Sequence, residues 1–189
     1  MKKAVFALLA TLLILSSCSV WNISCNRANL KNGYKYHEWE LHGSNYMKNI
    51  PFNMDVALGY GGIIKEELRH GPGTRNPESE KSHSGDYGLK LGITPTYYFS
   101  DSRFQPFAAW GFNALFFEPR ETKRTSSSVS YAIDTWLYMT PNAGARLFFS
   151  PKFGVHAKAG YSFGKVNHPD IPVKFTSGLI YSFGLTLTL

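Results

Sequence analysis

Asp55, Arg146, His156 and Lys158 are the side chains best placed for chemistry in this 189-residue chain. Each falls on the polar side of a segment where apolar and polar residues alternate with a period of two, so all four project to one side of the surface those segments build. A carboxylate, an imidazole and two cations in one enclosed space have two readings. Charges withdrawn from water must be paired, so the set reads first as a structural salt-bridge plug, with Arg146 and Lys158 neutralised by Asp55 and polar neighbours. Because positive members outnumber negative ones, it also suits a constriction that binds or passes small anions. Lys90, Lys174 and Asp134 lie nearer the opposite ends of their segments, where they extend the cluster or face water.

The other candidate groups are weaker. His37 and His42, with Glu38 and Glu40 beside them, read as a surface cluster, and neither they nor His70 and His83 have metal-ligand spacing. No catalytic residue, metal or cofactor is expected, since no serine, histidine and carboxylate can be placed on one face. Lys2 and Lys3, followed by the apolar run from Ala4 to Leu15, read as an export signal over residues 1–17, too short to span a membrane. Leu15-Ser16-Ser17-Cys18 resembles a bacterial lipoprotein cleavage box, which would make Cys18 a lipid anchor. The alternative is ordinary cleavage nearby, leaving Cys18 and Cys25 to form a disulfide. The formal charge is +7, and loss of the two signal lysines leaves +5. That balance is basic enough to favour anionic envelope polysaccharide, while export argues against a nucleic-acid partner.

Six segments must position the four candidate residues. The clearest, Val173 to Leu189, places Phe175, Leu179, Tyr181, Phe183, Leu185 and Leu187 on one face and Thr176, Gly178, Ser182, Gly184, Thr186 and Thr188 on the other. Similar alternation runs through Phe52 to Ile63, Asp86 to Ser100, Tyr131 to Phe149 and Lys152 to Gly164. Phe104 to Phe117 has a mixed second face, because Phe107, Leu115 and Phe117 fall among its polar residues. Two further strands are expected from Val20 to Gly43, although the alternation slips between Tyr36 and Trp39. Pro95, Pro106 and Pro141 fall inside strands and, lacking an N–H, are expected to mark bulges or bends.

The connections alternate in length. Ser100 to Arg103 and Ser150-Pro151 are tight, whereas 65–85, 118–130 and 165–172 are long and polar. Phe99, Phe104, Phe149 and Phe153 flank the tight turns, and Tyr87, Phe116 and Phe163 lie about ten residues further along, roughly the span of a tilted membrane strand. Amphipathic strands, segregated loops and paired aromatic rings predict an all-β, antiparallel transmembrane barrel of eight strands. Its expected layout is an N-terminal linker or first strand over 18–33 and a barrel over 34–189.

In these strands and loops the chain resembles the small Gram-negative outer-membrane β-barrels of the OmpX/OmpA-like type. The resemblance covers about Tyr34 to Leu189 and departs at the terminus, where Leu189 stands in place of the usual phenylalanine. It implies location in the outer membrane, contact with outer-membrane lipid and lipopolysaccharide, and loops 65–85 and 118–130 available to extracellular ligands. A structural or surface-interaction role with a side-chain-filled lumen is the leading reading. A narrow small-solute channel and a lipid-anchored soluble β-barrel or sandwich binding an apolar ligand are the alternatives. Barrel enzymes that deacylate lipid A carry a histidine two residues before a serine, but His156 is followed at that distance by Lys158, and His83-Ser84 has the wrong spacing.

Overall fold

The computed structural model describes residues 20–44, 51–69, 80–124, 129–169 and 175–188. The export signal, Cys18, His70, Lys174 and Leu189 lie outside them, and the side chain of His83 is not among those described. Eight strands form one closed antiparallel barrel. In chain order they are β1 (Val20–Leu30), β2 (Tyr34–Ser44), β3 (Phe52–Arg69), β4 (Glu80–Tyr98), β5 (Phe104–Phe117), β8 (Thr135–Phe148), β9 (Phe153–Asn167) and β10 (Phe175–Thr188). A separate hairpin, β6 (Arg120–Arg124) with β7 (Val129–Ala132), lies between β5 and β8. Each barrel strand pairs with its predecessor in the barrel, and β1 closes the ring against β10.

The stagger follows from the register. From Phe52 on β3 the paired residues are Tyr97, Ala108, Ala143, Ala159, Tyr181, Arg27 and His37, and the row returns to β3 at Gly62. Position 62 less position 52 gives a shear of ten residues for eight strands. Such a stagger tilts strands by roughly 35–45° and leaves an interior that side chains can fill.

Alternation places the apolar face outward, the reverse of a soluble core. Leu179, Tyr181, Phe183, Leu185 and Leu187 are exposed along β10, with Phe183 at 64%, while Ser182 and Thr186 between them are buried. Phe52, Tyr97, Phe99, Phe104, Phe149 and Phe153 form an exposed aromatic ring at the short-turn end. Toward the other end, Tyr60 stacks on Tyr87 at 6.1 Å. Among the described residues no helix is long and apolar enough to cross a membrane, and only strands offer a crossing.

Several sequence expectations are corrected. Over 18–33, where either a linker or a first strand was expected, the described residues from Val20 form β1, the strand that closes the ring. The apparent slip in β2 is a regular strand whose inward positions include Tyr34 and Tyr36, both buried. Segments 65–85 and 118–130 are not simple loops: β3 and β4 remain paired up to Arg69 and Glu80, and β6–β7 occupies much of the second. Loop lengths are less segregated than expected, since β1 and β2 at the long-hairpin end are joined by the short 3-10 turn Lys31–Gly33. Gly33 has φ 78°, a conformation glycine adopts freely.

The prolines produce no bulges. Pro95 and Pro141 each sit where a few ladder pairs are missing, between β4 and β5 and between β8 and β9, and the register beyond each gap is unchanged. Pro106 stands at the end of the β4–β5 ladder, where its carbonyl accepts from Phe99 N at 2.9 Å. A strand tolerates proline where the missing donor faces no partner.

Candidate functional site

The inward residues divide into a polar, charged zone and an aromatic plug. The plug forms where Tyr36, Leu115, Phe117, Trp136 and Tyr138 meet at the long-hairpin end, all buried. Trp136 stacks on Tyr138 with ring centroids 3.9 Å apart, and Tyr36 meets Trp136 edge-on at 5.1 Å. Phe107, Leu115 and Phe117, the residues that blurred the β5 pattern, face inward. An eight-stranded barrel has no room for a wide aqueous core, so apolar side chains on inward positions pack against one another.

Below the plug, the charges meet in the lumen. Lys90 lies between two carboxylates, with Nζ 3.0 Å from Glu38 Oε1 and in contact with Glu40. Asn26 Nδ2 donates to Glu40 Oε1 at 3.0 Å and to Glu38 Oε2 at 3.3 Å. Tyr36 hydroxyl donates to Glu38 and shares a 2.9 Å hydrogen bond with the Tyr138 hydroxyl, so the carboxylate network is tied into the plug. Lys158 Nζ stands 3.4 Å from Glu40 Oε1 and 3.2 Å from His42 Nε2, and His42 itself touches Glu40. A Cβ at position 59 would strike the Glu38 carboxylate, so Gly59 provides the space that carboxylate occupies.

Asp55, Arg146, His156 and Lys158 line one small cavity at the lower end of the lumen. Their partners differ from expectation. Asp55 Oδ2 accepts from Thr96 at 3.0 Å. Arg146 Nη2 donates to the Tyr98 hydroxyl at 2.7 Å, and its guanidinium carbon lies 4.9 Å from the Tyr98 ring. His156 Nδ1 lies 3.2 Å from Thr186 Oγ1, which donates to Asn22 Oδ1 at 2.7 Å.

The missed acids are the main correction. Glu38 and Glu40 are only 1% and 2% exposed, so the segment read as a surface cluster contributes the central carboxylates of the lumen. Of the two readings for Lys90, it extends the cluster rather than facing water: it is 4% exposed, between these two carboxylates. With Glu38, Glu40 and Asp55 against Lys90, Arg146 and Lys158, the interior charges balance, and the expected positive excess disappears. His37, on the opposite face of β2, is the part of that cluster that does point outward. A regular two-residue alternation from Tyr34 through His42 was the available signal.

Two cavities remain in the charged zone, each about 30 Å³. Each is large enough to hold a water molecule. Both are bounded by His42 and Lys158, which stand between them. A third, open pocket of about 270 Å³ lies at the short-turn mouth, with Arg146 at its inner limit.

His37 pairs across its ladders with Arg27 and Gly62, neither of which carries a nucleophile. Among the described residues, no three histidine, cysteine or carboxylate side chains are grouped to hold a metal ion. Cys25 is a free thiol on the outward side of β1. Cys18, the other half of the disulfide alternative, lies outside the described residues.

No protein-family model matches the chain, and no curated protein matches it. Among solved structures, it is similar to Neisserial surface protein A, with 15% identity, a TM-score of 0.50, and coverage of 90% of this chain and 95% of that one. The attachment invasion locus protein Ail of Yersinia pestis, determined with the heparin analogue sucrose octasulfate, aligns at 13% identity and TM-score 0.48, covering 90% and 97%. The outer membrane enzyme PagL aligns at 12% identity and TM-score 0.47, covering 89% and 99%. The fold is that of the small eight-stranded outer-membrane barrels.

Proposed function

We propose that this chain is an outer-membrane barrel with a structural or surface-interaction role, closed to solutes and without catalytic activity. The observation that carries the proposal is the interior: six charges balanced against one another below an aromatic plug, with the apolar residues on the outside. Outward Phe, Leu and Trp side chains in a closed barrel are favourable in lipid and costly in water. In the membrane, the short turns at Ser100 and Ser150 face the periplasm, and the β3–β4 and β6–β7 hairpins project outside.

The channel alternative needs a continuous hydrated path, and the buried contacts of Lys90, Glu38 and Tyr36 stand across it. The soluble-binder alternative needs an apolar interior and a wettable wall, the reverse of what alternation produces here. Cys18 remains a proposed lipid anchor; two residues before Val20, it would tether the chain at the periplasmic foot of the barrel.

Protease treatment of intact cells tests the placement. Cleavage confined to the β3–β4 and β6–β7 hairpins, with the remaining barrel protected, is the expected result. Protection of both hairpins in intact cells, or release of the protein as a soluble species without detergent, would contradict it.

A further inference from the structure

The open pocket at the short-turn mouth, about 270 Å³, is far larger than the two lumen cavities of about 30 Å³. Strand ends build it. Val20 opens β1 and pairs with Thr188 at the close of β10, while Gln105 near the start of β5 pairs with Arg146 near the end of β8. The turn residues Asp101, Ser102 and Arg103 on one side and Ser150 and Pro151 on the other complete the rim. Inward parity sets Gln105 and Arg146 side by side at the inner limit, 4% and 3% exposed.

Hydrogen bonding around this pocket is uneven. The rim serines are engaged by their own turns: Ser102 Oγ donates to the Phe104 carbonyl at 2.9 Å, and Ser150 Oγ accepts from Phe153 N at 3.1 Å. Arg146 gives Nη2 to Tyr98, and its guanidinium carbon lies 4.9 Å and 6.0 Å from the Tyr98 and Phe148 rings, which hold it in place. Its Nε and Nη1, however, have no hydrogen-bond partner among the described residues, and neither has Gln105 Oε1. All three atoms are shut off from water, and a buried polar group left unpaired is costly, most of all on an ion. The surrounding charges leave room for an anion. Asp101 and Arg103 offset each other on the exposed rim, exposed Lys152 stands beside Pro151, and the acid on the lumen side, Asp55, lines the lower cavity and accepts from Thr96.

We propose that this mouth pocket binds a small carboxylate that carries a hydrogen-bond donor and a short apolar group beside its acid, the chemistry shared by the free end of a peptide and a 2-hydroxy acid. Arg146 takes the carboxylate, since charge-assisted bonds to a guanidinium are the strong ones. Gln105 Oε1 accepts the ligand's N–H or O–H, and Val20, Phe148 and Pro151 supply apolar wall. A small shift of the Gln105 side chain brings the unpaired atoms to the pocket surface. Because the pocket ends at Arg146, binding here goes beyond the structural role of the barrel without opening a path through it.

The full chain, folded in detergent micelles and checked by heat-modifiable mobility, is titrated with N-acetylalanine, lactate, acetate and N-acetylalaninamide, while the side-chain N–H resonances of Arg146 and Gln105 are followed by NMR. Saturable shifts with N-acetylalanine or lactate are expected, the tighter of the two identifying the source, and binding about tenfold weaker for acetate and for the amide. Arg146→Met should abolish binding, Gln105→Leu should remove the preference over acetate, and Lys31→Gln at the far end should change neither. Shifts that do not saturate with either probe, equal binding of the amide, or a preference that survives Gln105→Leu would overturn the site while leaving the barrel reading intact. Binding gained only on deletion of Leu189 would also overturn it, by placing the chain's own end in the pocket. Should Arg146→Met fail to fold, the Gln105→Leu comparison decides.

Discussion

Lys90 is held by two carboxylates, and each carboxylate has further partners, so the lumen responds unequally to single changes. Lys90→Met leaves Glu38 and Glu40 buried with one fewer cation. Removing one member of such a buried pair costs about 3–5 kcal/mol. The expected outcome is a lower denaturant midpoint for Lys90→Met in vesicles, with part of the loss recovered in Lys90→Met/Glu38→Gln. An unchanged midpoint in the single variant would mean the network contributes nothing. Gly59→Val tests the same space from the opposite strand: its side chain enters the position of the Glu38 carboxylate, and the yield of heat-modifiable folded protein should fall. For Cys18, intact mass should show an acylated N-terminal cysteine; a mature chain that begins beyond Cys18 would dismiss the anchor. The inward direction of Asp55, Arg146, His156 and Lys158 was legible because parity alone determines it. Their partners were not: Tyr98 reaches Arg146 from two strands away and Glu40 reaches Lys158 from three, which only the closed, staggered ring brings together, while Thr96 meets Asp55 diagonally on the neighbouring strand.

At the scale of strands, period-two alternation identified six barrel elements, since lipid on one side and packed polar groups on the other impose opposite chemistry on successive residues. It was less clear in β2 and β5, where aromatic side chains also occupy inward positions. Tyr36, Leu115 and Phe117 look outward by type and are inward by position. The prolines misled for a related reason: a sequence shows the missing N–H but not whether a partner faces it. Pro95→Ala should change stability by less than about 1 kcal/mol, because the lost φ constraint and the regained donor are both small effects. Leu91→Pro places the same defect where Leu91 pairs with Leu58 and Ala114 on both sides, and it should reduce folding sharply. Comparable unfolding midpoints for the two variants would contradict this view of the ladder gaps. Shortening the β3–β4 hairpin by joining Glu66 to His83 through Asn-Gly should leave heat-modifiable mobility intact, because the closed ring does not depend on its projecting part.

The whole molecule is a cylinder whose wall is turned toward lipid and whose interior is closed by its own side chains. Closure to solutes depends on both zones together: the aromatic plug blocks the upper lumen, and below it two spaces of about 30 Å³ lie among the balanced charges. Planar-bilayer recording tests that claim most directly. The purified full chain should give no stable conductance, and Arg146→Ala should not create an ion-selective one, because the Lys90–Glu38 contact and the plug remain in place. Persistent single-channel conductance in the wild type, with ion selectivity altered by Arg146→Ala, would contradict the filled lumen and establish a pore.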